Sequence, residues 1–271
     1  MGQIVLEKTR KHFISCTLEL GGKSPCYVHA DADLQLAANR IAASKLMNTG
    51  QVCIAPDTVF VHAAVAHRFV ELVQAAFKKM VPTKDGKPAA DFRMVNARHF
   101  DRVQALLSSP HGGTVLDTGA KPSRDALFVP PTIVLNPVKG KLLEEEIFGP
   151  VLPVRVVDGL DACATASNAG PTPLAAYVFT ASDAVALEFI DKVRAGGVCV
   201  NECAEHAFTA GLPFGGLGAS GMGAYHGAYG FNEFTHRQGV LFKTAPDMPF
   251  RFPPHNAKKV EMLMGMIKPN L

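Results

Sequence analysis

Charge is scarce in this chain. Lys, Arg, Asp and Glu make up 19% of its 271 residues, against 48% hydrophobic residues. That balance excludes intrinsic disorder, because a chain this apolar can bury a core. The formal net charge is only +3 and no long run of Lys or Arg occurs, so no nucleic-acid partner is expected. No apolar run approaches the ~20 residues that span a bilayer, and "MGQIVLEKTRKHF" lacks the apolar centre of a signal peptide. No transmembrane segment is therefore expected. The six cysteines (Cys16, Cys26, Cys53, Cys163, Cys199 and Cys203) are spaced too irregularly for a disulfide framework, so the chain reads as cytoplasmic with reduced thiols. Cys199, Cys203 and His206 make half of a zinc site, but no second pair at ligand spacing lies nearby, so no metal is expected. A phosphate-binding loop is missing as well. "GGKS" would need a glycine five positions before Gly22, and Thr17 stands there.

What the chain does have is a rhythm. From about residue 24, short β-rich runs alternate with amphipathic helical ones. "SPCYVH" reads as a strand. Asp31 is placed as N-cap of a helix over "DLQLAANRIAASKLM", where Leu34, Ala37, Ala38, Ile41 and Leu46 keep near-helical spacing. A strand "DTVFVHA" and a helix "AHRFVELVQAAFKKM" follow, then a helix around "ARHFDRVQALL" and strands in "GGTVLDTG" and "FVPPTIVLN". The second half repeats the order, with strands "VLPVRVVD", "LAAYVFTA" and "GVCVNE" and helices "LDACATASNAG" and "SDAVALEFIDKVRAG". Such alternation predicts an α/β fold with a mostly parallel sheet covered on both faces. From Phe208 onward glycine and aromatic residues dominate. They predict an ordered loop in which Phe214, Tyr225, Tyr229 and Phe231 pack on something. Its "GLGASG" follows no clear strand and opens no apolar-periodic helix, so it reads as turns and not as a dinucleotide fingerprint.

Three stretches carry candidate chemistry. In "MNTGQVCIAP", Cys53 sits in a loop opened by Asn48-Thr49-Gly50 and closed by Pro56; alone it reads as a structural cysteine, and the loop position raises the case for an accessible thiol. An ordinary thiol is only a few per cent thiolate at pH 7, so catalysis there needs a neighbouring base or aimed backbone N–H donors. Glu19, in "LELGG", is one candidate base, with a strand-edge surface residue as the plainer reading. In "EEEIFGP", three acids precede a proline stop, at the wrong end of a helix dipole. A local choice that unfavourable points to a function for at least one of them.

Taken together, "LELGGKSP", "MNTGQVCIAPD", "EEEIFGPVLPV", "PLAAYVF", "GGVCVNE" and "PFGGLGASGMGAYHG" resemble the aldehyde dehydrogenase superfamily in order and rough spacing, from Gly2 to about residue 243. The wording of "GQVCIAPD" and "SGMGAYHG" is most similar to its class 3 branch, which acts on fatty and aromatic aldehydes. By that resemblance Cys53 is the nucleophile and Glu19 the general base. Glu146 and Phe148 match residues contacting the nicotinamide ribose, and Asn201 matches one that helps hold the active-site loops. Phe214 matches a position close to the substrate tunnel, with His226 near its mouth. The resemblance further implies an aldehyde substrate, NAD or NADP as cofactor, and a homodimer in the intact enzyme.

One departure accompanies the match. Family members carry, ahead of the position of Glu19, most of a dinucleotide-binding domain and an asparagine that completes the oxyanion hole. The expected organisation is therefore a remnant of the cofactor domain over 1–19, a parallel-sheet catalytic α/β domain over 20–210, and an active-site loop with a dimerisation tail over 211–271. A chain cut in this way is expected to be inactive as a dehydrogenase on its own, and the alternative reading is a catalytically inactive fragment acting only through protein–protein contacts.

Overall fold

The computed structural model describes residues 1–84, 87–88, 91–248 and 250–267. Helix α1 (Gly2–Thr9) leads into β1 (Leu18–Glu19) and β2 (Pro25–Val28). Next come α2 (Leu34–Leu46), β3 (Thr58–His62) and α3 (Ala66–Met80). The short β4 (Thr83–Lys84) and β5 (Lys87–Pro88) pair antiparallel, before α4 (Ala97–Ser108), β6 (Thr114–Asp117) and β7 (Thr132–Leu135). The alternation continues through α5 (Lys141–Glu144), β8 (Val151–Val157), α6 (Leu160–Asn168), β9 (Ala175–Phe179), α7 (Asp183–Lys192) and β10 (Gly197–Val200). With β11 (Gly221–Met222) and α8 (Gly227–Glu233) they form one compact unit, Met1–Thr235. A second unit, His236–Leu271, carries α9 (Ala257–Ile267). Among the described residues no helix is long and apolar enough to cross a membrane.

Seven strands form the central sheet, in the order β10-β9-β2-β3-β8-β7-β6, all parallel except β6, which runs against β7. Side chains alternate across it, as strand geometry requires. Cys26, Val28, Val59, Val61, Val154 and Tyr177 face a core closed by Ile41, Phe69, Val73 and Phe77 of α2 and α3. Tyr27, Phe60, Ala176 and Val178 face the other way, onto Cys163 of α6 and Phe189 of α7. Burial on both faces explains why these strands read as continuous apolar runs.

Two local expectations change. The N-cap of α2 is Asp33, whose carboxylate accepts from Leu36 N–H at 3.0 Å, and not Asp31. Asp31 is taken by long-range partners: its Oδ1 accepts from Thr180 Oγ1 at 2.7 Å and from Ala181 N at 3.1 Å, and pairs with His29 Nδ1 at 2.7 Å. In the glycine-rich segment, Phe214 is buried and Tyr225 half-buried, but Tyr229 and Phe231 are exposed, at 44% and 72%. The compact unit also takes in 1–19 and 211–235, because β1 pairs with β11, Glu19 opposite Gly221.

Parallel pairing of β2 and β3 brings the segments that arrive at their amino ends to one end of the sheet. Glu19 lies in the segment arriving at β2, Cys53 in the one arriving at β3, and Glu146 and Phe148 in the one arriving at β8. Open α/β sheets usually place ligands at the carboxyl ends. Here the candidate residues gather at the opposite end.

Candidate active site

The loop holding Cys53 is shaped by backbone. Beyond α2 the chain turns through Asn48 and Thr49, both at positive φ (47° and 59°), into Gly50 at 75°. A Cβ on Gly50 would run into Gly149 O, so only glycine lets this loop close on the Ile-Phe-Gly-Pro turn. Gln51 braces the loop: its Nε2 donates to Asn48 O at 2.9 Å and its Oε1 accepts from Val95 N–H at 2.8 Å. At the far end Asp57 is buried. Its Oδ2 accepts from Ile147 N–H at 2.9 Å, and its other oxygen pairs with Lys23 Nζ. Lys23 also donates to Leu142 O at 3.0 Å and Glu145 O at 2.9 Å, so one cation and one anion lock three segments together.

This frame places Cys53 Sγ 3.0 Å from Glu19 Oε1, the thiol donating. Burial, then the bond to Glu19 and its charge, push the Cys53 thiol up to about 12, with Glu146 adding to the rise. The resting cysteine is therefore a protonated thiol at neutral pH. The second Glu19 oxygen accepts from the Tyr225 hydroxyl. The acid itself is exposed, so neighbouring donors rather than enclosure hold it. A thiol bonded to a carboxylate can lose its proton as sulfur attacks an electrophile, and the same carboxylate can afterwards take a proton from water.

Glu146 lies beside Gly21, where a Cβ would stand 3.0 Å from its carboxylate oxygens. Burial raises the Glu146 carboxyl to about 7, against the opposing pull of a Gly22 backbone N–H bond and of Lys45 and Lys23. Phe148, at φ 46°, borders a cavity of about 640 Å³ shared with Leu46, Thr49, Gln51, Phe92 and Met94. Phe214 and Tyr225 exchange backbone hydrogen bonds at 2.9 and 2.8 Å, and His226 stacks on Phe214 with ring centres 5.1 Å apart. Phe214 and His226 thus join Glu19 through Tyr225. Asn201 does not join them. It follows β10 at the carboxyl end of the sheet, where its side chain donates to Thr180 O at 2.8 Å and accepts from Thr180 N–H at 2.9 Å. Its contacts hold the segment between β9 and α7, at the end away from Cys53.

Cys199 and His206 meet, with Sγ 3.0 Å from Nδ1, while Cys203 lies against Cys26 in the core. Among the described residues no three potential metal ligands come together. Sequence reasoning gave no role to Asp57, Lys23 or Lys45, and gave Tyr225 only a packing one. Lys45 is wholly buried, and desolvation lowers its ammonium to about 8 despite Asp57. A lysine on the inward face of a helix is the one signal that reading passed over.

The fold and the site define a class: a parallel α/β domain that presents a thiol–carboxylate pair at the amino ends of its strands. Residues 1–240 match the aldehyde dehydrogenase family model, and the chain belongs to that family. It is 39% identical over 265 residues to aldehyde dehydrogenase family 3 member A2 of Mus musculus, across 96% of this chain and 54% of that one. It is 41% identical over 266 residues to the "dimeric NADP-preferring" aldehyde dehydrogenase of Mus musculus, across 95% and 57%. A Staphylococcus aureus AldH structure in a substrate-bound state superimposes with a TM-score of 0.89 at 30% identity, covering 98% of this chain and 58% of that one. The chain thus spans little more than half the length of these relatives.

Proposed function

We propose that this chain carries the reacting groups of an NAD(P)-dependent oxidation of aldehydes to carboxylic acids. The observation that supports it is the 3.0 Å bond between Cys53 Sγ and Glu19 Oε1, formed by two residues 34 positions apart. Cys53 adds to the aldehyde carbon as its proton passes to Glu19, giving a thiohemiacetal on sulfur. The backbone N–H of Cys53, which bonds to its own sulfur, would be one donor to the developing oxyanion. Bound NAD or NADP would supply the hydride acceptor, and oxidation would leave the acyl group on sulfur as a thioester. Glu19, exposed and having passed the thiol proton to solvent, would then deprotonate the water that hydrolyses this thioester, with sulfur as the leaving group. Glu146 and Phe148 would hold the nicotinamide side: a carboxyl enclosed beside Gly21 suits the hydroxyls of a ribose. Phe214 and His226 would border the substrate. The name of the NADP-preferring relative favours a homodimer. All six cysteines are free, which suits a cytoplasmic setting.

The chain spans little more than half the length of its relatives, and misplacing a reacting group by ~1 Å costs ~100-fold, so the 271-residue chain by itself is expected to form no measurable NADH from any aldehyde. Mass spectrometry after brief treatment with a limiting activated ester tests the site directly. Acylation of Cys53 ahead of the other five cysteines is expected. Labelling of the others, with Cys53 untouched in folded protein, would sink the reading.

A further inference from the structure

The glycine-rich segment does more than border the site. β11 pairs its backbone with β1, so that Gly221 stands opposite Glu19. Four residues beyond Gly221, Tyr225 returns toward the same acid, held by its backbone bonds to Phe214 and by ring contacts to Phe214 (5.8 Å, 87°) and His226 (4.6 Å, 89°). Each Glu19 oxygen receives one donor, the Cys53 thiol at Oε1 and the Tyr225 hydroxyl at Oε2. Because Glu19 is exposed and a glutamate side chain rotates about three bonds, packing alone does not fix its carboxylate. We infer that Tyr225 is the positioning residue of this site: its hydroxyl holds the Glu19 carboxylate against the Cys53 thiol and dictates which oxygen takes the thiol proton. This rests on the reading of Cys53 as nucleophile and Glu19 as base.

The arrangement assigns the two oxygens different work. Oε2 stays bonded to the phenol throughout, while Oε1 faces sulfur and receives its proton. Once sulfur is acylated and that proton has passed from the exposed carboxylate to solvent, the attacking water takes the place of the thiol at Oε1. The phenol never gives up its own proton in either step. Its enclosure and the neighbouring carboxylate raise it to about 12, so it remains a donor across the working pH range. Simple packing is the competing account, since the ring touches Phe214 and His226. Tyr225→Phe separates the two, because it keeps every ring contact and removes only the hydroxyl.

The test is the rate of Cys53 alkylation by iodoacetamide at one neutral pH, followed by mass spectrometry on the full chain, which needs neither cofactor nor turnover. A carboxylate held against the thiol takes its proton as sulfur attacks, so Glu19→Gln slows alkylation. If the Tyr225 hydroxyl holds that carboxylate, Tyr225→Phe slows alkylation about tenfold and adds nothing further in a Glu19→Gln background. Replacement of Tyr225 by para-aminophenylalanine, which keeps the ring and restores a donor, brings the native rate back. A native rate in Tyr225→Phe, with Glu19→Gln still slow, overturns the role of Tyr225 and leaves the thiol–carboxylate reading intact. A native rate in Glu19→Gln overturns that reading itself. Should Tyr225→Phe fail to fold by circular dichroism, Tyr225→Leu and the para-aminophenylalanine variant decide: a slow leucine variant beside a native-like amino variant supports the inference, and equal rates in the two reject it.

Discussion

The Asp57 carboxylate accepts the Ile147 N–H at 2.9 Å, and so the loop that carries Cys53 is bonded to the turn that carries Glu146. Ninety residues of sequence separate the two partners. The carboxylate is buried and its other oxygen meets Lys23, whose remaining bonds go to the carbonyls before Glu146. Cysteine loop and acidic turn therefore move as one body.

Removing that anion should be costly. In Asp57→Ala the Ile147 N–H and Lys23 lose an acceptor and the buried Lys45 loses its largest compensating charge. Breaking a buried pair from one side typically costs about 3 kcal/mol or more. Urea unfolding should show a drop of about that size, and Cys53 should lose its preference in limiting alkylation. A loss under about 0.5 kcal/mol would place Asp57 among ordinary surface residues.

Gly50→Ala tests the closure of loop on turn. The residue sits at φ 75° and its new Cβ would meet the Gly149 carbonyl. Strain and collision together should lower stability by about 2 kcal/mol or more, visible as a lower thermal midpoint. Wild-type stability in the variant would mean the two backbones are not in contact.

The pH dependence of stability should carry the mark of Glu146. Its carboxyl rises from 4.5 to about 7 on folding, chiefly through burial. The folded state therefore holds a proton that the unfolded chain releases, and this contribution is complete below 4.5 and lost as pH rises through 7. Denaturant titrations at intervals across that window should show native stability declining relative to Glu146→Gln, which carries no titrating proton there. Parallel curves for the two proteins would contradict the enclosed state of Glu146.

Acyl transfer separates the roles of the reacting pair. With an activated ester, Cys53→Ser should show no acylation at this position. Glu19→Gln should instead accumulate acyl-enzyme, because water loses its base, with release slowed ~10²-fold or more. Intact-mass kinetics distinguish the two. Equal release rates in Glu19→Gln and the native chain would remove Glu19 from the hydrolytic step.

The sheet was legible because strands buried on both faces leave apolar runs too short for helices, and the intervening helices keep their spacing. Local signals failed where a distant partner decided. Sequence pointed to Asp31 as the cap of α2, but Thr180, Ala181 and His29 draw Asp31 away and Asp33 takes that place. Cys53 and Glu19 were legible from motif wording, but the Tyr225 hydroxyl meets Glu19 across 206 residues, and no spacing encodes that contact. Asn201 shows the converse. Its motif pointed to the active-site loops, and its hydrogen bonds lead to Thr180 at the other end of the sheet.

Gathering the chemistry where chain segments arrive at the strands has an architectural result. Segments arriving at β2, β3 and β8 carry Glu19, Cys53 and Glu146, whereas those departing toward α2, α3 and α6 carry none of the three. The departing connections carry a network of their own, in which Thr180 after β9 bonds to Asp31 after β2 and to Asn201 after β10. The two ends of one sheet are thus fastened independently, and the direction of its strands decides which residues each fastening can use.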